Sequence, residues 1–90
     1  MIKQGENEKR INLYCIKNDI SIDKYFDLLF EQSDLTKLDK LLFETFIENN
    51  ESYRKTATSL YSSRYIVKKE ITRIKNNLLE TNKKILNYDN

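Results

Sequence analysis

The sequence predicts an all-α protein, and its composition, hydrophobic periodicity and helix-capping residues all favour that class. The 90-residue chain has no Pro and one Gly, which is fewer turn residues than a sheet-rich fold would need. Hydrophobic residues make up 39% and charged residues 33%, a balance typical of a folded domain rather than a disordered chain. We expect one domain over residues 1–90, with four to five helices.

The first half of the chain contains one ambiguous segment and one clear helix. The apolar residues between Ile11 and Ile16 fit a short helix or a strand equally well. Ser21 is a predicted N-cap, and Asp23 follows in the first turn, where a negative charge suits the helix dipole. An apolar stripe at positions i, i+3, i+4, i+7 and i+8 then predicts a helix through Ile22, Tyr25, Phe26, Leu29 and Phe30.

A third helix is predicted to begin near Asp34 or Thr36 and to end at Asn49 or Asn50, where Asn would adopt a left-handed cap. Its predicted buried stripe consists of Leu38, Leu41, Leu42, Thr45 and Phe46. Ser52 is the predicted cap of a fourth, shorter helix.

The longest helix is predicted from about Ser63 to the middle eighties. Apolar residues recur every three or four positions at Val67, Ile71, Ile74 and Leu78, and Thr81 and Ile85 continue the spacing. That spacing fits a dimer seam, and it fits packing against the chain's own first helices at least as well. Residues 76–90 contain no Gly, turn signal or alternating strand, so a winged variant is disfavoured.

Charge is distributed unevenly along the chain. Residues 1–50 hold seven Lys and Arg against ten Asp and Glu, whereas residues 52–75 hold seven against one. A basic segment of this kind is expected of a surface that faces nucleic acid, although a solvated basic helix face would look similar.

Several classes of function are disfavoured by what the sequence lacks. With no His and one Cys, neither a zinc site of the usual ligands nor His-based acid–base catalysis is expected. Cys15 lies in an apolar run and is predicted to be a buried, inert thiol. We therefore expect no enzyme activity and no cofactor. No apolar stretch approaches a membrane span or a signal peptide, so a cytoplasmic protein without membrane contact is expected.

The spacing after Ala57 is the strongest functional signal in the chain. A helix-turn-helix needs a small residue where its two helices cross, apolar residues that fix their angle, and a polar N-cap on the second helix. Ala57 fits the crossing, and Leu60, Val67 and Ile71 fit the packing positions. Ser62 or Ser63 fits the cap, which places the motif within residues 51–80 and leaves 81–90 as a helix extension or tail.

The predicted motif assigns side chains to DNA in two groups. The first turns of the second helix would read base edges in the major groove through Ser63, Arg64, Tyr65, Lys68 and Lys69. Phosphates would be contacted by Ser52, Arg54, Lys55, Thr72, Arg73 and Lys75.

The segment "LLFETFIENNESYRKTATSLYSSRYIVKKEITRI" resembles the C-terminal helix-turn-helix of the PucR-like regulators of purine catabolism and sugar-diacid use. The matching positions are Leu41, Glu48, Asn49, Asn50, Ser52, Thr56, Ala57, Leu60, Tyr61, Arg64, Val67, Ile71 and Ile74. The resemblance implies that an aromatic is tolerated at Tyr61, and we expect Tyr61 to pack under the turn. Ser62 and Ile66 depart from the family pattern, which has an apolar residue and a Thr there.

Region 4 of sigma factors and the Fis-type helix-turn-helix share this skeleton, so the resemblance specifies the element better than the family. The long sensing regions of PucR-like regulators have no counterpart in these 90 residues, so an effector-sensing role is not expected. The predicted function is sequence-specific binding of double-stranded DNA, as a small bacterial, plasmid or phage transcriptional regulator, with a homodimer left open.

Two alternatives remain. One is an accessory DNA-processing protein of a mobile element, which would mark an origin or a recombination site. The other is a sigma-like interaction module, whose acidic N-terminal half would bind RNA polymerase or a host regulator.

Overall fold

A computed structural model describes the backbone of residues 4–88 and the side chains of residues 8–87. The predictions for residues 1–3 and 89–90 lie outside this range. Within it the chain is all-α, as predicted, and no strand occurs. The helices are α1 (Gln4–Asn18), α2 (Ile22–Gln32), α3 (Lys37–Glu48), α4 (Tyr53–Ser59) and α5 (Arg64–Tyr88). The ambiguous first segment is therefore helical.

Side-chain caps determine where four of the helices begin. The Oγ of Ser21 accepts the N–H of Lys24 at 3.1 Å, and the Oγ of Ser52 accepts the N–H of Lys55 at 3.1 Å. Each bond satisfies a backbone donor that the helix itself leaves without a partner. Both predicted caps are confirmed.

Helix α3 begins with a capping box. The hydroxyl of Thr36 accepts the N–H of Asp39 at 3.2 Å, and the carboxylate of Asp39 accepts the N–H of Thr36 at 3.1 Å. The reciprocal pair fixes the start of α3 at the later of the two predicted positions. At its other end, Asn50 has φ 56° and the next residue, Glu51, has φ 60°. The predicted left-handed Asn cap is therefore confirmed at Asn50.

Helix α5 is the central element, because every other helix packs against it. Its C-terminal part buries Ile74 and Leu78 against α1 and α2, through Cys15, Tyr25 and Leu29. The prediction that Cys15 is a buried thiol is confirmed.

The N-terminal part of α5 forms a second cluster, which contains Phe46 of α3, Ala57 of α4, and Val67 and Ile71 of α5 itself. The regularly spaced residues of α5 thus face the chain's own helices. Because they are buried within the monomer, they cannot form the dimer seam that their spacing would also fit. The alternative, packing within the monomer, is the one observed.

The predicted stripe of α3 is wrong at two positions. Leu38 is 76% exposed and Leu41 is 58% exposed, whereas Phe46 is buried as predicted. Phe43 and Leu42 pack instead against both clusters. Apolar residues occur on nearly all sides of α3, so helical periodicity alone does not determine which side faces α5.

A buried polar pair joins α2 to α5. The phenol of Tyr25 donates a hydrogen bond to Oδ1 of Asn82, and both residues are buried. Burial, with smaller contributions from Tyr14 and Cys15, raises the pKa of Tyr25 from its ordinary value of 10.0 to about 12.

The Tyr25 phenol makes stability depend on alkaline pH. Because its pKa is higher in the folded chain, the stabilisation is fully present below pH 10 and is lost as the pH rises through about 12. We expect urea denaturation at about pH 9 and about pH 11 to give a lower free energy of unfolding at the higher pH.

Tyr25→Phe is the control for this titration. It should lower stability by about 1–3 kcal/mol at neutral pH, because Asn82 loses its buried donor. Tyr25→Phe should also reduce the difference in the free energy of unfolding between about pH 9 and about pH 11. A decline of unchanged size in Tyr25→Phe would show that another group causes it.

Candidate nucleic-acid interface

The candidate interface consists of α4, the turn after it, and the first turns of α5. Ala57 is buried at the contact between the two helices, where it packs with Val67 and Ile71. A methyl side chain allows two helix axes to approach closely, which is the role the sequence predicted. Leu60, predicted to pack in the same contact, lies at the end of α4 and is 39% exposed.

The turn reverses the chain through a left-handed residue. Tyr61 has φ 53°, the N–H of Ser62 donates to the carbonyl of Ala57 at 2.9 Å, and the N–H of Tyr61 donates to the carbonyl of Thr58 at 3.4 Å. This is the pattern in which helices usually end at Gly. The Tyr61 side chain is fully exposed, so the prediction that it packs under the turn is wrong.

Ser63 caps the N-terminus of α5. The Oγ of Ser63 accepts the N–H of Ile66 at 3.1 Å, and its carbonyl accepts the N–H of Val67 at 3.0 Å. Of the two predicted caps, Ser63 is therefore the one used, and Ser62 remains exposed in the turn.

Tyr61→Gly should stabilise the fold by about 0.5–1 kcal/mol. A left-handed backbone costs a residue with a Cβ roughly 1–2 kcal/mol, and Gly avoids that cost. Part of this gain is offset because Gly raises the conformational entropy of the unfolded chain. No packing is lost, because the tyrosine ring is exposed. Urea denaturation would measure the gain. Tyr61→Ala keeps the Cβ and should show little gain, so equal stabilisation by both changes would exclude this cause.

The residues predicted to contact bases all lie at the exposed start of α5. Arg64, Lys68 and Lys69 carry the charge, and Tyr65 is 75% exposed. The hydroxyl of Ser63 is already engaged in capping. The arrangement places three cations and one aromatic ring within two helical turns.

Five basic residues of this surface have no acidic partner within side chains 8–87. Among the residues whose side chains are described, no carboxylate lies within ion-pair distance of Arg54, Lys55, Arg64, Lys68 or Lys69. We call these five residues the basic face. Since their charges are not neutralised internally, they are available to an anionic partner.

The remaining residues predicted to contact phosphate have partners within the chain. Arg73 is bound to Asp39 at 2.6 Å and to Glu70 at 2.8 Å. Lys75 places its amine 5.1 Å from the centre of the Phe46 ring. The hydroxyl of Thr72 donates to the carbonyl of Lys68 at 2.8 Å. The hydroxyl of Ser52 caps α4. Their contacts with phosphate stay predictions.

The bond between Arg73 and Asp39 was not anticipated from the sequence. The hydrogen bond from Arg73, together with the bond from the Thr36 backbone, holds the pKa of Asp39 below its ordinary value. The two carboxylates raise the pKa of Arg73. The spacing of Thr36 and Asp39 does signal a capping box, but nothing in the sequence indicates that the capping carboxylate also reaches α5.

None of the helices within residues 4–88 combines the length and the apolar character needed to cross a membrane. Comparison of the chain with protein-family models, with curated proteins and with solved structures finds no match. The resemblance to PucR-like regulators therefore stays a prediction based on the residues quoted for it.

Proposed function

We propose that this chain is a sequence-specific double-stranded DNA-binding protein in which α4 and α5 act as a helix-turn-helix. The observation that carries the proposal is the basic face, five exposed cations on α4 and α5 that no described carboxylate neutralises. The acidic balance of residues 1–50 supports it further, because a polarised charge distribution orients a protein on a polyanion.

In this proposal α5 enters the major groove with its first turns. Arg64, Lys68 and Lys69 offer donors to base edges, and Arg is the side chain best suited to the paired acceptors of guanine. Tyr65 supplies an apolar contact with the groove. Arg54 and Lys55, at the start of α4, bind backbone phosphates and set the register of α5.

Arg73 has a different part in the proposal. Because it is paired with Asp39 and Glu70, releasing it to phosphate would cost two ion pairs. We assign it to holding α3 against α5. The biological role we propose is a small bacterial, plasmid or phage regulator, with DNA processing on a mobile element as the alternative.

Selection of bound sites from a random duplex pool, followed by affinity measurements on variants, tests this proposal. Arg64→Ala should relax the preference at one base position by about 1–3 kcal/mol, whereas Lys55→Ala should weaken all sequences about equally. If the two variants behaved alike, the assignment of α5 to the groove would be wrong. A palindromic site would also indicate a homodimer, whose interface would have to lie outside the buried side of α5.

A further inference from the structure

A groove lies between α2 and α3, on residues that the proposed DNA contacts do not use. Both helices pack against α5 rather than closely against each other, and the space between them has a volume of about 740 Å³. Phe30 and Phe43 line it, are partly buried, and have ring centres 5.9 Å apart. Phe26 and Ile47 also line it and are 47% and 48% exposed.

The rim of the groove is acidic. Asp23, Glu44 and Glu48 line it, and among the described side chains none of the three has a basic partner. Asp27 is neutralised by Lys40 at 3.1 Å, and the same amine lies 5.7 Å from the centre of the Phe30 ring. The groove therefore combines four apolar side chains with three carboxylates that no described basic side chain neutralises.

We propose that this groove binds a basic amphipathic helix of a partner protein. An amphipathic helix places apolar residues at i, i+3, i+4 and i+7 into such a groove, and flanking Lys and Arg would meet the three carboxylates. Phe26 and Ile47 are half-exposed, so the groove is open to solvent. An amphipathic partner helix could bury its apolar face there and leave its polar face in water. Anionic membranes and nucleic acids would be repelled by the same rim.

A second copy of this chain fits the groove less well. A second copy that docked through the cations of its basic face would cover the residues proposed to bind DNA. Binding of a partner helix leaves the basic face free, which allows one molecule to hold duplex and partner at once.

Fluorescence anisotropy with the full chain tests the proposal. The probe is a fluorescein-labelled peptide of about 16 residues, with Leu at the helical positions i, i+3, i+4 and i+7 and Lys elsewhere. We expect saturable binding, weakened about tenfold or more by Ile47→Ser and by Glu44→Lys with Glu48→Lys. A peptide with Glu in place of Lys should bind at least about tenfold more weakly.

Matched controls use the same helices outside the groove. Leu38→Ser replaces an exposed apolar residue of α3, and Glu31→Lys reverses an exposed carboxylate of α2. Neither should change peptide affinity by more than about twofold. Equal losses in groove and control variants, or no binding by the unaltered chain, would overturn the proposal.

Two further measurements separate this proposal from its competitors. If sedimentation showed self-association that Ile47→Ser abolishes, the occupant would be a second copy and the partner helix would be rejected. Ile47→Ser should retain unchanged affinity for duplex DNA, since Ile47 lies outside the basic face. Failure of peptide binding therefore leaves the DNA-binding proposal intact, and failure of duplex binding leaves this one intact.

Discussion

Phe46→Ala is expected to lower the free energy of unfolding by about 3–5 kcal/mol. Phe46 is almost fully buried and joins three helices, because it packs with Ala57 of α4 and with Val67 and Ile71 of α5. Its ring also stacks on Tyr53 with the ring centres 5.1 Å apart. Removing it leaves a cavity at the point where α3 supports the α4–α5 contact, and urea denaturation would measure the loss.

A loss of this size matters because a small domain has a total stability of only about 5–15 kcal/mol. Phe26→Ala provides the comparison, since the same side chain is removed from a half-exposed position on α2. We expect it to cost less than about 1.5 kcal/mol. Equal costs for the two changes would contradict the position of Phe46 in the core.

The combined change Arg64→Gln, Lys68→Gln and Lys69→Gln is expected to weaken duplex binding about 100-fold or more at low salt. The three cations lie at the exposed start of α5, and no carboxylate among the described residues neutralises them. Glutamine keeps a polar side chain that can still donate hydrogen bonds, although it is shorter than Lys or Arg, and it removes the charge. The fold should persist, because none of the three residues is buried.

The control for this variant must have the same net charge. Lys9, Lys24 and Lys37 are exposed and lie in the acidic half of the chain, so changing all three to Gln removes three positive charges elsewhere. We expect this control to lose less than about threefold in affinity, through long-range electrostatics alone. If both triple variants lost affinity equally, net charge rather than the basic face would determine binding.

Much of the helical framework can be predicted from sequence because it depends on local chemistry. A hydroxyl followed three residues later by its N–H partner defines the starts at Ser21, Ser52 and Ser63. The first helix was ambiguous, since α1 leaves Leu13 and Ile16 exposed and so has no clean apolar stripe. The prediction for α3 is wrong for a related reason, because apolar residues cover most of its circumference and do not single out the side that faces α5.

The candidate interface likewise contains features that the sequence predicts and features that it does not. The exposure of Arg64, Lys68 and Lys69 follows from helical periodicity, since the buried side of α5 is defined by Val67, Ile71 and Ile74. The pairing of Arg73 with Asp39 does not, because the two residues are 34 positions apart and meet only once α3 lies across α5. The backbone conformation of Tyr61 is also not predictable from the sequence. Its left-handed backbone is required by the turn, although its residue type gives no sign of it.

Titration of the unaltered chain with random-sequence duplex over a range of salt concentrations tests the central claim most directly. Random-sequence duplex offers no specific bases, so all five residues of the basic face should neutralise phosphates on it. Binding should then be clear at low salt, and log K should fall linearly with log salt at a slope of about −4.5. Absence of binding to duplex at low salt, or an affinity that does not change with salt, would contradict DNA binding by this surface.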